Sequence, residues 1–516
     1  MNAIDMSFVM LQEKSAAPTS TSHFPSTEQL LAKGGDARIA LNPLTKTNQY
    51  GCGTKPNASI AAFGSATAST ISENSFFAAN QLRNRLVQNI ERDEAAEVYA
   101  DQMSRIRQEL NELCGLRNSG TDIVFAASGT DVHLIASQLA AKDESLPVRM
   151  LMVDTLETGS GVTAALSGRH FSNRAALGSA VAQGAKIGRT DHGQVVAISM
   201  RLANGTPRPS ADIDADFERE VAAAVAAGER VLLTMVDVSK TGMIAPSVKC
   251  AVDLHRRYPN RLDVLVDACQ FRLTPTTLQN YLSQGFLVGI TGSKFISGPS
   301  FAGALLIPSS LSKELRPCAR LDKLQAYSAR ADWPVGWHAA RSLYKKPNFG
   351  LLLRWEGAIK ELRAFRSLSN AVTMRFLQDF ESAIKQRMQE DPIFEMLPVP
   401  ELQRFPFADK PSWDNIQTIF PFLLSRPAST TGKALLSSEE MVEVYHALRE
   451  GSNDLVQLGQ PVDCGRRGVI AVSALRMCLS SRLIVEAMQQ NGRNQQAVID
   501  RALKALDKVA RLVRAM

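Results

Sequence analysis

Between residues 120 and 310 the chain alternates short, nearly continuous apolar runs with longer stretches of helical periodicity. IVFAA (123–127), VRMLMVD (148–154), VVAISM (195–200), RVLLTMVDV (230–238), LDVLVDA (262–268), FLVGIT (286–291) and AGALLIP (302–308) read as buried strands. Runs that are apolar at successive positions suit strands covered on both faces. Residues 131–142, 213–227, 248–257 and 276–284 read as the helices between them. This alternation predicts an α/β fold with a mostly parallel sheet sandwiched by helices. Ligands of such sheets sit at the carboxyl ends of the strands, so the polar residues after each run carry the interest.

The flanks have a different texture. Residues 1–44 are rich in Ser, Thr, Ala and Pro and read as a mobile N-terminal tail. Residues 80–115 read as helix, with Gly115 as the stop. Residues 45–345 form the expected large domain, and 346–516 a long helical stretch (350–389) with a smaller α+β C-terminal domain. That smaller domain is expected to hold strands near 417–425 and 468–480 and helices near 437–450 and 494–515.

Composition narrows the class. The length of 516 residues allows two to four domains, and 45% hydrophobic with 21% charged residues is ordinary for a globular protein. A net charge of +7 is thin for this size, and no dense basic tract is interleaved with aromatics, so nucleic acid is not an expected partner. The basic residues Arg501, Lys504, Lys508, Arg511 and Arg514 read as the solvated face of a helix. Seven scattered cysteines without a C-x-x-C pair suggest neither a disulfide framework nor a metal site, and fit a reducing compartment. No apolar run reaches membrane-spanning length and no basic region precedes an apolar core at the start, so a cytoplasmic protein is expected.

Four strand ends carry chemistry-bearing residues. Ser128-Gly129-Thr130-Asp131 follows the first run and opens a helix, where free N–H groups and the dipole favour an anion; the same residues also serve as an ordinary N-cap. Ser239 follows the fourth run, and Asp267 ends the fifth with Gln270 beyond it. Thr291-Gly292-Ser293-Lys294 ends the sixth. A lysine between a buried strand and a Gly/Pro-rich loop is unusual, since lysines prefer solvent, and suits an amine nucleophile toward an aldehyde; the alternative is a lysine snorkelling at the sheet rim.

The order of these elements, with Lys294 lying 27 residues after Asp267 (294 − 267), resembles the fold-type I enzymes that use pyridoxal 5'-phosphate (PLP). The resemblance is to the branch of class V aminotransferases and cysteine desulfurases and spans about 45–515. It implies a PLP-dependent transferase-like fold, PLP as cofactor, a homodimer and an amino-acid-like substrate processed through an external aldimine and a Cα carbanion. Lys294 would form the Schiff base and shuttle the α-proton, and Asp267 would face the pyridine nitrogen. Gln270 and Ser239 would contact the phenolic oxygen, and Ser128, Gly129, Thr130, Thr291 and Ser293 the phosphate. Arg476 matches the arginine that binds the substrate carboxylate, or else is a surface arginine at a strand end. Asn48 and Tyr50, with residues 65–69, fall where the family lines the substrate mouth. No metal is implied.

The departures concern the substrate. Residues 157–161 (ETGSG) offer no ring to stack on the cofactor, Ser239 stands where asparagine is usual and Ser293 where desulfurases have histidine, and an insert falls within 157–215. Cys464, 12 residues before Arg476 (476 − 464), reads either as a desulfurase-type nucleophile or as a buried structural cysteine. The expected reaction is aminotransferase-type transfer; a lyase acting at a C–S, C–C or carboxyl bond and a non-catalytic PLP-binding protein are the alternatives.

Overall fold

Apolar runs without polar alternation become fully buried strands in the computed structural model, which describes residues 24–64, 69–142, 145–188, 193–407, 410–427, 434–451 and 454–516. The first strand, β1 (Ile60–Phe63), belongs to a smaller sheet considered below. The next seven are β2 (Asp122–Ala126), β3 (Val148–Val153), β4 (Val195–Ile198), β5 (Arg230–Val236), β6 (Leu262–Ala268), β7 (Leu287–Thr291) and β8 (Gly303–Ile307). They form one seven-stranded sheet in the order β2-β8-β7-β6-β5-β3-β4. β8 pairs antiparallel with both neighbours and the remaining pairings are parallel, so only β8 points the other way. Every residue of β2, β5, β7 and β8 is buried, whereas β4 at the edge is half covered, which is why its pattern is the weakest.

Helices cover both faces of this sheet. The expected helix over 80–115 is two helices, Glu73–Ile90 and Ala95–Leu113. The break falls at Glu91-Arg92-Asp93-Glu94, four exposed charged residues with nothing apolar to dock on the core. The second helix stops at Gly115, whose φ of +68° is a left-handed conformation that glycine adopts without steric cost. The 350–389 stretch likewise divides into Phe349–Arg366 and Asn370–Gln389, the latter capped by Ser369, which accepts from the Val372 N–H.

The smaller sheet joins β1 to β9 (Phe394–Met396), β10 (Ile419–Leu424), β11 (Leu455–Arg467) and β12 (Ile470–Cys478) in the order β1-β11-β12-β10-β9. β1 is parallel to β11, with Ile60 opposite Leu455, so a strand from within 45–345 completes the sheet of the C-terminal region. The 13-residue β11 was not among the expected strands; it contains Gly459, Pro461 and Gly465, which disfavour a strand locally, and pairing on both edges overrides them. The register slips between Gly459 and Val462, a bulge that turns the Gln460 carbonyl toward Arg476.

Residues 24–44, expected as part of a mobile tail, are packed against the body; residues 1–23 lie outside the described residues, as do 65–68 of the expected mouth. Ser26 caps the short helix Thr27–Leu31, and Leu30 and Leu31 are buried. The fully buried guanidinium of Arg354 donates to the carbonyls of Phe301 (2.7 Å), Gly34 (2.6 Å) and Lys33, fixing the segment to the large domain. Gly350 permits this approach, since a side chain there would meet the Lys33 and Leu30 carbonyls at 2.2 and 2.5 Å. Ser/Ala-rich composition hid an anchor whose partner lies more than three hundred residues away. No helix among the described residues is long and apolar enough to cross a membrane.

Candidate active site

The carboxyl ends of β3, β5, β6 and β7 open into one cavity, and β12 of the smaller sheet closes it. Its walls include Glu157, Thr158, Ser239, Lys240, Asp267, Cys269, Gln270, Lys294, Gln460 and Arg476. Lys294, Asp267, Gln270, Ser239 and Arg476, singled out from the sequence, are therefore brought together.

Asp267 is the last but one residue of β6, at the floor of the cavity and buried. Its Oδ2 lies 3.3 Å from Nε2 of His133, and its Oδ1 accepts from the Cys269 N–H at 3.1 Å. The other ring nitrogen of His133, Nδ1, is 2.7 Å from the Gly129 carbonyl oxygen, which orients the ring. Burial opposes ionisation of Asp267, but His133, Lys294 and the Cys269 thiol together outweigh it, holding the carboxyl well below the usual range. The result is a buried carboxylate facing a lysine.

Two buried oxygens at the cavity wall, Gln270 Oε1 and Thr158 Oγ1, have no hydrogen-bond partner among the described residues. Buried polar atoms are normally satisfied, so orphans at a cavity wall point to a ligand's polar groups. Thr158 occupies the ringless 157–161 loop, and Gly159 beside it packs within 3.9 Å of Thr130 Oγ1, counted from the position a side-chain carbon would take. The loop thus bridges the cavity and the helix start at residue 129.

Ser239 is committed elsewhere than expected. Its hydroxyl donates to Glu157 Oε2 (2.7 Å) and accepts from the Met243 N–H (3.1 Å). Glu157 is itself buried, paired with Arg201 (Nε to Oε1, 2.7 Å) and accepting from the Thr241 hydroxyl. Thr291 also departs: its hydroxyl donates to the Cys269 carbonyl at 2.6 Å, so its proton is unavailable to a phosphate. Ser293 is buried next to Lys294 and is not among the residues lining the cavity.

The anion-type turn is built as an N-cap, with an addition. Ser128 caps Gly129–Ala140, accepting from the Asp131 N–H and donating to Asp131 Oδ2. Arg38 reaches in from the N-terminal segment, its Nη2 donating to Ser128 Oγ (3.2 Å) and Thr130 Oγ1 (3.3 Å). Asp36 holds that guanidinium from behind through two hydrogen bonds (2.9 and 2.6 Å), and the rings of Phe301 and Phe171 flank it at 5.3 and 5.8 Å. Burial, with Asp36 nearby, raises the Asp131 carboxyl to about 7 against the opposing pull of Ser128 and Arg38.

Arg476, on β12, is buried, not a surface arginine. Its Nε and Nη2 donate to the bulged Gln460 carbonyl (3.2 and 2.9 Å) and Nη1 to the Lys240 carbonyl (3.1 Å). Among the described residues three of its five donors are engaged, which sets the fork and leaves two for a ligand. Lys240 Nζ donates to the Thr155 carbonyl at 2.9 Å.

Asn48 and Tyr50 are not brought to this cavity. Asn48 Oδ1 accepts from the N–H groups of Tyr50 and Cys52, closing its own turn, and the Tyr50 ring packs 6.1 Å from Phe301 near Arg38. Cys464 is buried among Leu397, Leu423, Val472 and Ala474, its thiol bonded to the Val462 carbonyl and pushed up to about 11 by burial. It is not among the residues that line the cavity.

Sequence reasoning missed Arg38, His133, Lys240 and the Glu157–Arg201 pair. His133 had a signal: it stands four residues after Gly129, on the helix face directed at the sheet. Arg38 had none, lying within apparent tail.

No family model and no curated protein sequence matches the chain. Among solved structures, it is similar to Oryza sativa TDC with PLP, with a TM-score of 0.51 and 13% identity over 88% of this chain and 84% of that one. It is similar to Catharanthus roseus tryptophan decarboxylase in complex with L-tryptophan, with a TM-score of 0.50 and 14% identity over 88% and 83%. The cysteine desulfurase CsdA of Escherichia coli aligns with a TM-score of 0.48 and 15% identity over 87% and 94%. Identities this low speak to architecture alone, and together with the seven-stranded sheet in which only β8 is reversed they define it: the chain has the fold of the fold-type I PLP-dependent enzymes.

Proposed function

We propose that this chain binds PLP at Lys294 and acts on the Cα–H bond of an amino-acid substrate, as an aminotransferase-type enzyme. The observation that carries the reading is the buried Asp267 carboxyl in the same cavity as Lys294, beside the oxygens of Gln270 and Thr158 that find no partner among the described residues. The donor set fits the cofactor: a carboxylate for a pyridine N–H, an amide for a phenolic oxygen, and Arg38 with the Ser128–Thr130 helix start for a phosphate. Asp131 does not forbid an anion there, because a carboxyl raised to about 7 stays partly protonated at neutral pH. When bound, PLP supplies an electron sink for the charge left at Cα.

The protein's own part is placement and proton handling. Lys294 supplies the amine that holds the cofactor and, once released, moves the proton to and from Cα. Asp267 keeps the pyridine nitrogen protonated, and His133 is the largest support holding its carboxyl low. The two free donors of Arg476 fit a substrate carboxylate in bidentate fashion. A carboxylate held in that ion pair is stabilised as it stands, which favours breaking Cα–H over loss of CO2. The absence of Cys464 from the cavity argues against desulfuration. A homodimer is part of the reading, with light scattering as its check.

Borohydride reduction followed by peptide mass spectrometry tests the cofactor: PLP is expected on Lys294, and PLP on another lysine or none at all overturns the reading. Stoichiometric conversion to pyridoxamine phosphate with release of a keto acid is the expected reaction. Release of CO2 with PLP retained would replace it with a decarboxylase.

A further inference from the structure

The charges lining the cavity do not cancel. Lys240, Lys294 and Arg476 face it against Glu157 and Asp267. Both carboxylates are already engaged, Glu157 by Arg201, Ser239 and Thr241, and Asp267 by His133 and the Cys269 N–H. On the proposed reading Lys294 holds the cofactor and Arg476 takes the α-carboxylate. Lys240 then remains, with one N–H on the Thr155 carbonyl and two further donors.

Its position makes this more than a stray surface lysine. Lys240 follows Ser239 directly, its N–H donates to the Glu157 carbonyl (3.0 Å), and its own carbonyl accepts from Arg476. The backbone is thus clamped between the loop after β3 and strand β12, and Lys240 and Arg476 line one cavity as direct neighbours. From this geometry we infer that the substrate carries a second anionic group (carboxylate, sulfonate or phosphonate) bound by Lys240. The inference rests on Arg476 and Lys240 lining the proposed active site, but the anion preference it implies does not require the cofactor.

Electrostatics agree in direction. Burial lowers the Lys240 ammonium to about 8, with Arg476 and Lys294 adding to the effect and Glu157 and Asp154 opposing it. A cation so destabilised gains by acquiring an anionic partner. The preference is therefore present at neutral pH and fades as pH rises through about 8.

Calorimetric titration with ligands lacking an amine tests this with or without bound PLP. Succinate, 3-sulfopropanoate and the phosphonate monomethyl ester of 3-phosphonopropanoate are compared with butyrate at pH 7 and pH 9, and these three ligands, dianions at both pH values, distinguish which acidic group is preferred. At least one dianion is expected to bind roughly tenfold or more tightly than butyrate at pH 7, with the gap narrowing at pH 9, as a charge-assisted hydrogen bond contributes. In Lys240→Met the gap is expected to collapse, and in Lys240→Arg to persist beyond pH 9. Equal affinities for butyrate and all three dianions, or a gap unchanged in Lys240→Met, overturns the inference. Failure of the PLP reading registers separately, as absence of borohydride-trapped cofactor on Lys294.

Discussion

Nε2 of His133 stands 3.3 Å from Oδ2 of Asp267, joining a side chain from the helix that opens at Gly129 to the end of β6. The contact helps keep a fully buried carboxyl ionised against the cost of desolvation. Replacing His133 by Phe removes that support, so the Asp267 carboxyl is expected to move upward toward neutrality. The acid limb of the activity profile then moves to higher pH. On that limb, turnover at a fixed pH falls by about tenfold, or ~1.4 kcal/mol, for every pH unit the limb moves. Asp267→Asn loses the charge itself and is expected to cost ~10²–10³-fold in turnover while the cofactor stays bound. Spectrophotometric pH profiles of the three proteins check both expectations.

The fork of Arg476 is set by two backbone carbonyls and by Gly459, across the ladder. A side-chain carbon at Gly459 would lie 3.0 Å from Arg476 Nε and 3.2 Å from its Cζ. Gly459→Ala is expected to push the guanidinium out of register, raising KM with turnover much less affected and the circular dichroism spectrum retained. Arg476→Lys keeps the charge but not the fork, and is expected to raise KM by roughly 10- to 100-fold, the worth of ~1.5–3 kcal/mol for a charged hydrogen-bonded pair. Steady-state kinetics on both variants separates positioning from charge.

The large sheet and the residues at its strand ends were readable because their causes are local. A strand buried on both faces must be apolar throughout, and Asp267 stands out because it interrupts such a run and Lys294 because it closely follows one. Arg38 and Arg354 were not readable, because their partners, Ser128 and Gly34, lie 90 and 320 residues away. Hydroxyls were the least legible: Ser239 and Thr291 sit at the expected strand ends, yet their protons go to Glu157 and the Cys269 carbonyl. Short polar side chains reach whatever acceptor the fold brings near, and spacing along the chain does not encode which. β11 was missed for the opposite reason, since its two-sided pairing overrides residues that break strands locally.

Glu157 and Arg201 form a buried ion pair beneath the cavity wall. Arg201→Met leaves a buried carboxylate without its cation and is expected to destabilise the fold by ~3–5 kcal/mol. Adding Glu157→Gln in the same chain is expected to recover much of that loss. In the wild type burial disfavours the Glu157 charge, but Arg201, Ser239 and Thr241 outweigh it and the carboxyl is lowered. Its stabilising contribution is therefore complete above the unfolded value of about 4.5 and is lost as pH falls through the lower folded value. Urea denaturation of the single and double variants between pH 3 and pH 7 measures both effects.

Asp131 has the reverse linkage. Its folded carboxyl titrates near 7 against 3.8 for an ordinary aspartate, so between these values the folded chain keeps a proton that the unfolded chain releases. Stability from this group declines as pH rises from about 4 to 7 and is level above. Asp131→Asn removes the decline. The variant's stability relative to wild type is expected to rise between pH 4 and pH 8, by an amount up to ~4 kcal/mol. Paired denaturation curves at the two pH values give the difference, and a pH-independent difference would falsify the linkage.

Arg38 offers the strongest check on how the proposed cofactor is held. Its guanidinium is fixed by Asp36 and presented to the hydroxyls of Ser128 and Thr130, at a helix N-terminus. If that corner holds the phosphate, Arg38→Met weakens PLP and leaves pyridoxal, which lacks the phosphate, nearly untouched. The expected loss for PLP is roughly 10- to 100-fold, since a charge-assisted hydrogen bond contributes ~1.5–3 kcal/mol. Fluorescence titration of apoprotein with each vitamer gives the ratio directly. An equal loss for both would mean that Arg38 acts by anchoring the N-terminal segment, as Arg354 does, and the phosphate would then have to be held by the helix start and its hydroxyls alone.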